Sequence, residues 1–145
     1  MRIEELEDAP DWLRYAHTEN ADVILNLLGQ VVWRGGEWHG GMWHGGEWHG
    51  GVWCGGEMFI DRKKVSQFRC FAGLYGYRVH AVLFEDGSRW VRMGCLWKSL
   101  EEWQTIGIRC SNVCEFPDDG SEKSEERVRA FEFAKAAVLA MKGNP

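Results

Sequence analysis

Between residues 21 and 60 a large apolar side chain recurs at every fifth position. Val23, Leu28, Trp33, Trp38, Trp43, Trp48, Trp53 and Met58 are in phase. Two residues before each stand Ala21, Asn26, Val31, Gly36, Gly41, Gly46, Gly51 and Gly56, nearly all small. Residues i and i+2 of a strand point to one side, so each repeat predicts a short strand that sends one small and one large side chain inward. The Gly-Gly pair after each tryptophan predicts a turn that uses positive φ. A helix is excluded, because paired glycines every five residues would each cost about 1 kcal/mol against alanine. A chain that turns this often winds, and stacked layers bury what one layer cannot.

After Phe59 the pattern changes. "IDRKKVSQFR" is basic and predicts a connection, placed at 61–76. "YRVHAVLF" and "RWVRMGC" are β-rich runs around Asp86-Gly87, which predicts a hairpin. Ser99 and Glu102 have capping-box spacing ahead of a short helix carrying Trp103 and stopped by Gly107. "IRCSNVCEF" predicts another strand. The last element is a helix from about Ser124, acidic in its first turn, with an apolar stripe of Val128, Phe131, Val138 and Met141 and a stop at Gly143.

The segment "NADVILNLLG" resembles the pentapeptide-repeat proteins, in which Ala21-Asp22-Val23 matches the small-Asp/Asn-Leu pattern. Further on, Gly replaces the small residue and Trp replaces Leu, and Gly at the inward position leaves room for an indole. The resemblance implies a right-handed four-sided β-solenoid with four repeats per coil, about two coils over 21–60, and a cap at each end. The residue before each in-phase position alternates Val32, Glu37, Met42, Glu47, Val52, Glu57. Ten-residue coils would stack the three glutamates about 4.8 Å apart, which is unfavourable, so the charges favour the four-sided geometry. They also leave Met42 and Val52 on other faces, a candidate contact surface. A second resemblance rests on the Trp-x-Gly-Gly run followed by "VRMGC", "SLEEW" and the final helix. In these features the chain is similar to proteins of tailed phages and prophages. The expected fold is therefore mainly β with α: an N-terminal cap (1–20), the solenoid (21–60), the connection (61–76) and a small α+β domain with a C-terminal helix (77–145).

Charge and cysteine content narrow the function. The formal net charge is −5, so nucleic acid is an unlikely partner, since a phosphate-backbone binder needs a basic field. No apolar run approaches the roughly 18 residues of a membrane span, and "MRIEELEDAPDW" lacks the apolar core of a signal peptide. Five irregularly spaced cysteines fit reduced thiols and a cytoplasmic setting, the host cytoplasm if the chain is phage-encoded. Cys110 and Cys114 with Cys70, Cys95 or His80 form a weak zinc candidate, because no Cys-x2-Cys pair supports it. A Cys95–His80 nucleophile pair lacks a group to orient the imidazole. Walker, dinucleotide and zinc-hydrolase motifs are missing from the sequence.

The expected function is therefore non-enzymatic binding, with no cofactor and no metal. Its most specific form is capture of a small nucleotide or cyclic nucleotide, as a phage would use against a host signalling defence. The candidate site combines Trp38, Trp43 and Trp48 for stacking, His39, His44 and His49 for hydrogen bonding, and Arg78 and Arg92 for phosphate. Filling the solenoid interior is the competing role for the tryptophans, and a solvated face is the competing role for the arginines. Two other functions stay open: a protein-interaction or DNA-mimic module acting on a host protein, and a self-associating homo-oligomer built through exposed solenoid edges.

Overall fold

The computed structural model describes residues 1–142 and resolves into two compact units, Met1–Ser66 and Gln67–Pro145. The first unit begins with a 3-10 turn, Ile3–Glu5, and helix α1 (Asp11–Arg14). Strands β1 (His17–Leu25) and β2 (Val31–Gly40) form an antiparallel pair. Three two-residue strands follow, β3 (Met42–Trp43), β4 (Glu47–Trp48) and β5 (Val52–Trp53), then β6 (Glu57–Ile60) and β7 (Lys63–Phe71). Strand β7 crosses the unit boundary. In the first unit it pairs antiparallel with β6, Met58 opposite Val65.

The register of the short strands corrects the expected fold. Trp33 lies opposite Trp48, Trp38 opposite Trp53, and Trp43 opposite Met58, all in parallel pairs. Partners are thus 15 positions, or three repeats, apart, where a four-sided coil needs four. Each contact joins only two residues per strand, and the longer pairings around it are antiparallel. The chain is mixed α/β, with sheets of up to six strands, and the described residues form no closed or solenoid sheet. The four-sided β-solenoid is not formed. Leu28, in phase with the tryptophans in sequence, lies in the turn between β1 and β2 and is exposed.

Backbone hydrogen bonds lock the layers together. Trp33 O accepts from His49 N, Trp38 O from Cys54 N and Gly41 O from Glu57 N, at 2.7–2.9 Å. The close approach needs glycine. At Gly51, φ is +92° and a Cβ would come within 2.4 Å of Gly36 O and 2.9 Å of Trp33 Nε1.

In the second unit β8 (Val79–Phe84), β9 (Arg89–Met93) and β10 (Leu96–Ser99) form an antiparallel meander. The turn at Asp86-Gly87 matches expectation: Asp86 Oδ1 accepts from Ser88 N, and Gly87 takes φ +87°. Helix α2 (Leu100–Ile106) starts where Ser99 Oγ accepts from Glu102 N and ends at Gly107. Helix α3 (Glu122–Ala140) packs on β8 and β9 through Phe131, Ala134 and Val138. The expected stop at Gly143 lies outside the described residues. Two further readings need correcting. Much of the stretch read as a basic connection is strand β7, and "IRCSNVCEF" forms a 3-10 turn (Ile108–Cys110) and bends, not a strand. Ile108 and Phe116, near the two ends of that stretch, are nevertheless buried in the core.

Candidate functional site

The tryptophans face inward. Trp33 and Trp38 are fully buried, and Trp43 and Trp48 are 3% and 6% exposed. The three-repeat register places ring on ring: Trp33 and Trp48 stack at 5.0 Å and 11°, Trp38 and Trp53 at 5.4 Å and 8°. Successive repeats meet edge to face, at 5.5–5.8 Å. Trp12 of α1 packs against Trp43 at 5.0 Å. Aromatic pairs prefer these offset-stacked and T-shaped arrangements, and together they make a rigid interior. Trp38, Trp43 and Trp48 therefore cannot offer ring faces to a ligand, which corrects their expected role.

The strands turn other residues outward. His39 and His44 are exposed and His49 is half-buried. Among the described residues no group of three close metal donors contains more than one of these histidines. His49 Nε2 lies 3.5 Å from Glu47 Oε1, and Asn26 Nδ2 donates to Glu47 Oε2. Lys64 Nζ lies 3.1 Å from Glu57 Oε1. Each repeat glutamate thus has a partner of its own.

The most concentrated group sits on β1 and β2. Glu19 and Glu37 are directly opposed in the antiparallel ladder, a like-charge pairing that is unfavourable by itself. His39, two residues along the same side of β2, lies against both carboxylates. Its Nε2 lies 3.1 Å from Glu37 Oε2 and 3.9 Å from Glu19 Oε2. Carried as imidazolium, it compensates both carboxylates. As neutral imidazole it makes, with two carboxylate oxygens, a three-donor set within 4.8 Å, of a kind that suits zinc. The sequence reading named His39 but missed Glu19, because the contact spans two strands.

Arg78 and Arg92 belong to the second unit and are exposed, and Arg92 Nε donates to Gly94 O at 2.7 Å. Neither unit on its own joins these arginines to the repeat tryptophans. The Cys95–His80 pair is also not assembled across the hairpin: His80 is opposite Arg92, and Cys95 lies beyond the end of β9. All five cysteines are free thiols. Burial pushes the Cys70 thiol up to about 11, against a weaker pull from Arg78. The thiolate is the reactive form. At pH 8, alkylation of Cys70 should therefore be roughly 100-fold slower than that of an ordinary exposed thiol of pKa about 8.5. Peptide mapping after timed iodoacetamide labelling checks this, and labelling of Cys70 as fast as Cys54 would refute it.

Comparison with known proteins adds no relative. No protein-family model matches the chain, and no curated protein or solved structure shows significant similarity to it. No helix among the described residues is long and apolar enough to cross a membrane.

Proposed function

We propose that this is a non-enzymatic, phage-type binding protein of the cytoplasm, whose first unit is a protein-interaction platform. The observation that supports it best is the burial of Trp33, Trp38, Trp43 and Trp48. The repeat builds a stiff interior, and what it presents is its outward row of Glu, His, Met42 and Val52. Electrostatics suggests the partner. Residues 1–66 hold 11 acidic and 6 basic side chains, a balance of −5, while residues 67–145 hold 11 of each. The whole net charge thus lies in the first unit, which suits a basic protein surface. Free thiols fit a reducing compartment.

Nucleotide capture is the second reading. It retains one point of support: Trp53, at the end of the stack, is only half-buried. Intrinsic tryptophan emission with acrylamide quenching separates the two readings. The platform predicts blue-shifted, poorly quenched emission that nucleotides and cyclic dinucleotides leave unchanged. It also predicts that a labelled Lys/Arg-rich peptide binds with an affinity that falls with salt and falls further in a Glu37→Gln, Glu47→Gln, Glu57→Gln variant. Saturable quenching by one nucleotide would instead establish ligand capture. A basic peptide that binds the wild type and the triple variant equally would remove the acidic face from the proposal.

A further inference from the structure

The second unit buries a cation whose hydrogen bonds are incomplete. Arg127, on α3, is 2% exposed. Its Nη1 donates to Ile108 O at 3.0 Å, and its guanidinium lies 5.1 Å from the Phe116 ring and 5.9 Å from that of Trp103. Nη2 has no hydrogen-bond partner. The Tyr75 hydroxyl and the Glu115 carboxylate are electrostatic neighbours of Arg127, but neither supplies a hydrogen-bond acceptor to Nη2. One turn earlier, Ser124 is 5% exposed and its Oγ is also unpartnered. A buried donor normally has an acceptor, and a buried charge a counter-charge.

These two residues line the same small cavity. It lies between the first turn of α3 and the stretch from Ile108 to Asp118, and its volume is about 10 Å³. That is room for a single water-sized occupant and too little for phosphate or sulfate. Arg109 also lines it, but its charge is already matched: Nη1 and Nη2 reach the Glu125 carboxylate at 2.5 and 3.0 Å, and Asp118 lies 3.4 Å away. Asp118 is the one carboxylate in the lining, and it is turned to Arg109. Arg127 Nη2 remains without an acceptor. The cavity also sits near the N-terminal, positive end of a 19-residue helix, where the helix dipole favours an anion. A water could bridge Nη2 and Ser124 Oγ, whereas an anion would add to the electrostatic compensation that Glu115 already gives.

We propose that this cavity is a binding site for one monatomic anion, of the chloride class, held by Arg127 Nη2 and Ser124 Oγ at the N-terminus of α3. The bound ion ties the first turn of α3 to the Ile108–Phe116 stretch and makes the stability of the second unit depend on halide. The site stands apart from the platform proposed for the first unit.

Two measurements on the full chain test it. Crystals grown in bromide should show an anomalous peak within hydrogen-bond reach of Arg127 Nη2 and Ser124 Oγ. Thermal unfolding at matched ionic strength should give a Tm that rises saturably with chloride but not with gluconate, an ion too large to enter. Loss of one hydrogen bond to the ion in Ser124→Ala should raise the half-saturating chloride concentration roughly tenfold. This variant leaves the buried Arg127 in place, so it tests the ion without removing a core side chain. Ordered water with no anomalous signal in the cavity overturns the proposal. So does an equal Tm in chloride and gluconate.

Discussion

Replacing Gly46 with alanine should destabilise the first unit by about 3 kcal/mol or more, enough to unfold much of it. Gly46 has φ +116°, where L residues are strained, and a Cβ there would lie 2.2 Å from Val31 O. Neither group can yield cheaply. Val31 pairs with Leu25 of β1, and the Gly46 turn leads straight into β4, which pairs with β2 one residue beyond Val31. Gly35→Ala is the matched control. It changes the first glycine of a pair, its φ lies outside the left-handed region, and no heavy atom lies within 4 Å of its would-be Cβ. It should shift stability by no more than about 0.5 kcal/mol. Urea unfolding followed by tryptophan emission separates the two, and equal midpoints would show that the layers are not held in backbone contact.

The second large effect is expected at Trp38. The residue is fully buried, stacks on Trp53, and meets Trp33, Trp43 and Trp12 at 5.7, 5.6 and 6.3 Å. Trp38→Ala should cost about 3–5 kcal/mol through lost burial and the cavity left behind. Trp38→Phe should cost distinctly less, because it keeps a ring in place and removes an indole N–H that has no acceptor. Trp53→Ala should also cost less, since that ring is half-buried. The ordering is read by near-UV circular dichroism during denaturation. If Trp38→Ala matches Trp53→Ala, the interior is not organised around Trp38.

Local signals carried much of the fold. The caps and stops of α2, the Asp86-Gly87 turn and the apolar stripe of α3 all lie within a few residues of the backbone they control. The five-residue phase likewise picked out the rings that become buried. It could not show how many repeats separate stacked partners, because that is a property of the winding. A clue was present in the charges. Glutamate alternates with an apolar residue from repeat to repeat, so an even number of repeats per layer puts like on like. An odd number sets Glu47 opposite Val32, Glu37 opposite Val52 and Glu57 opposite Met42, as observed. The Glu19–Glu37–His39 group depends on pairing across two strands, which no window along the chain contains. Arg127 was missed for another reason. It sits in an acid-rich turn that reads as a solvated face, yet it falls at i, i+4 and i+7 with Phe131 and Ala134, on the face that packs inward.

The three-repeat register has a consequence for how such a gene can change. A replication slip that adds or drops one repeat moves every later ring onto the wrong ladder and brings acid opposite acid. A slip of three repeats keeps the rings on their ladders but sets each copied glutamate opposite its own copy, because the charge alternates every two repeats. Length variation that leaves both the ring ladders and the charge alternation intact should therefore come in steps of six repeats, and single-repeat or triplet changes should destabilise the unit.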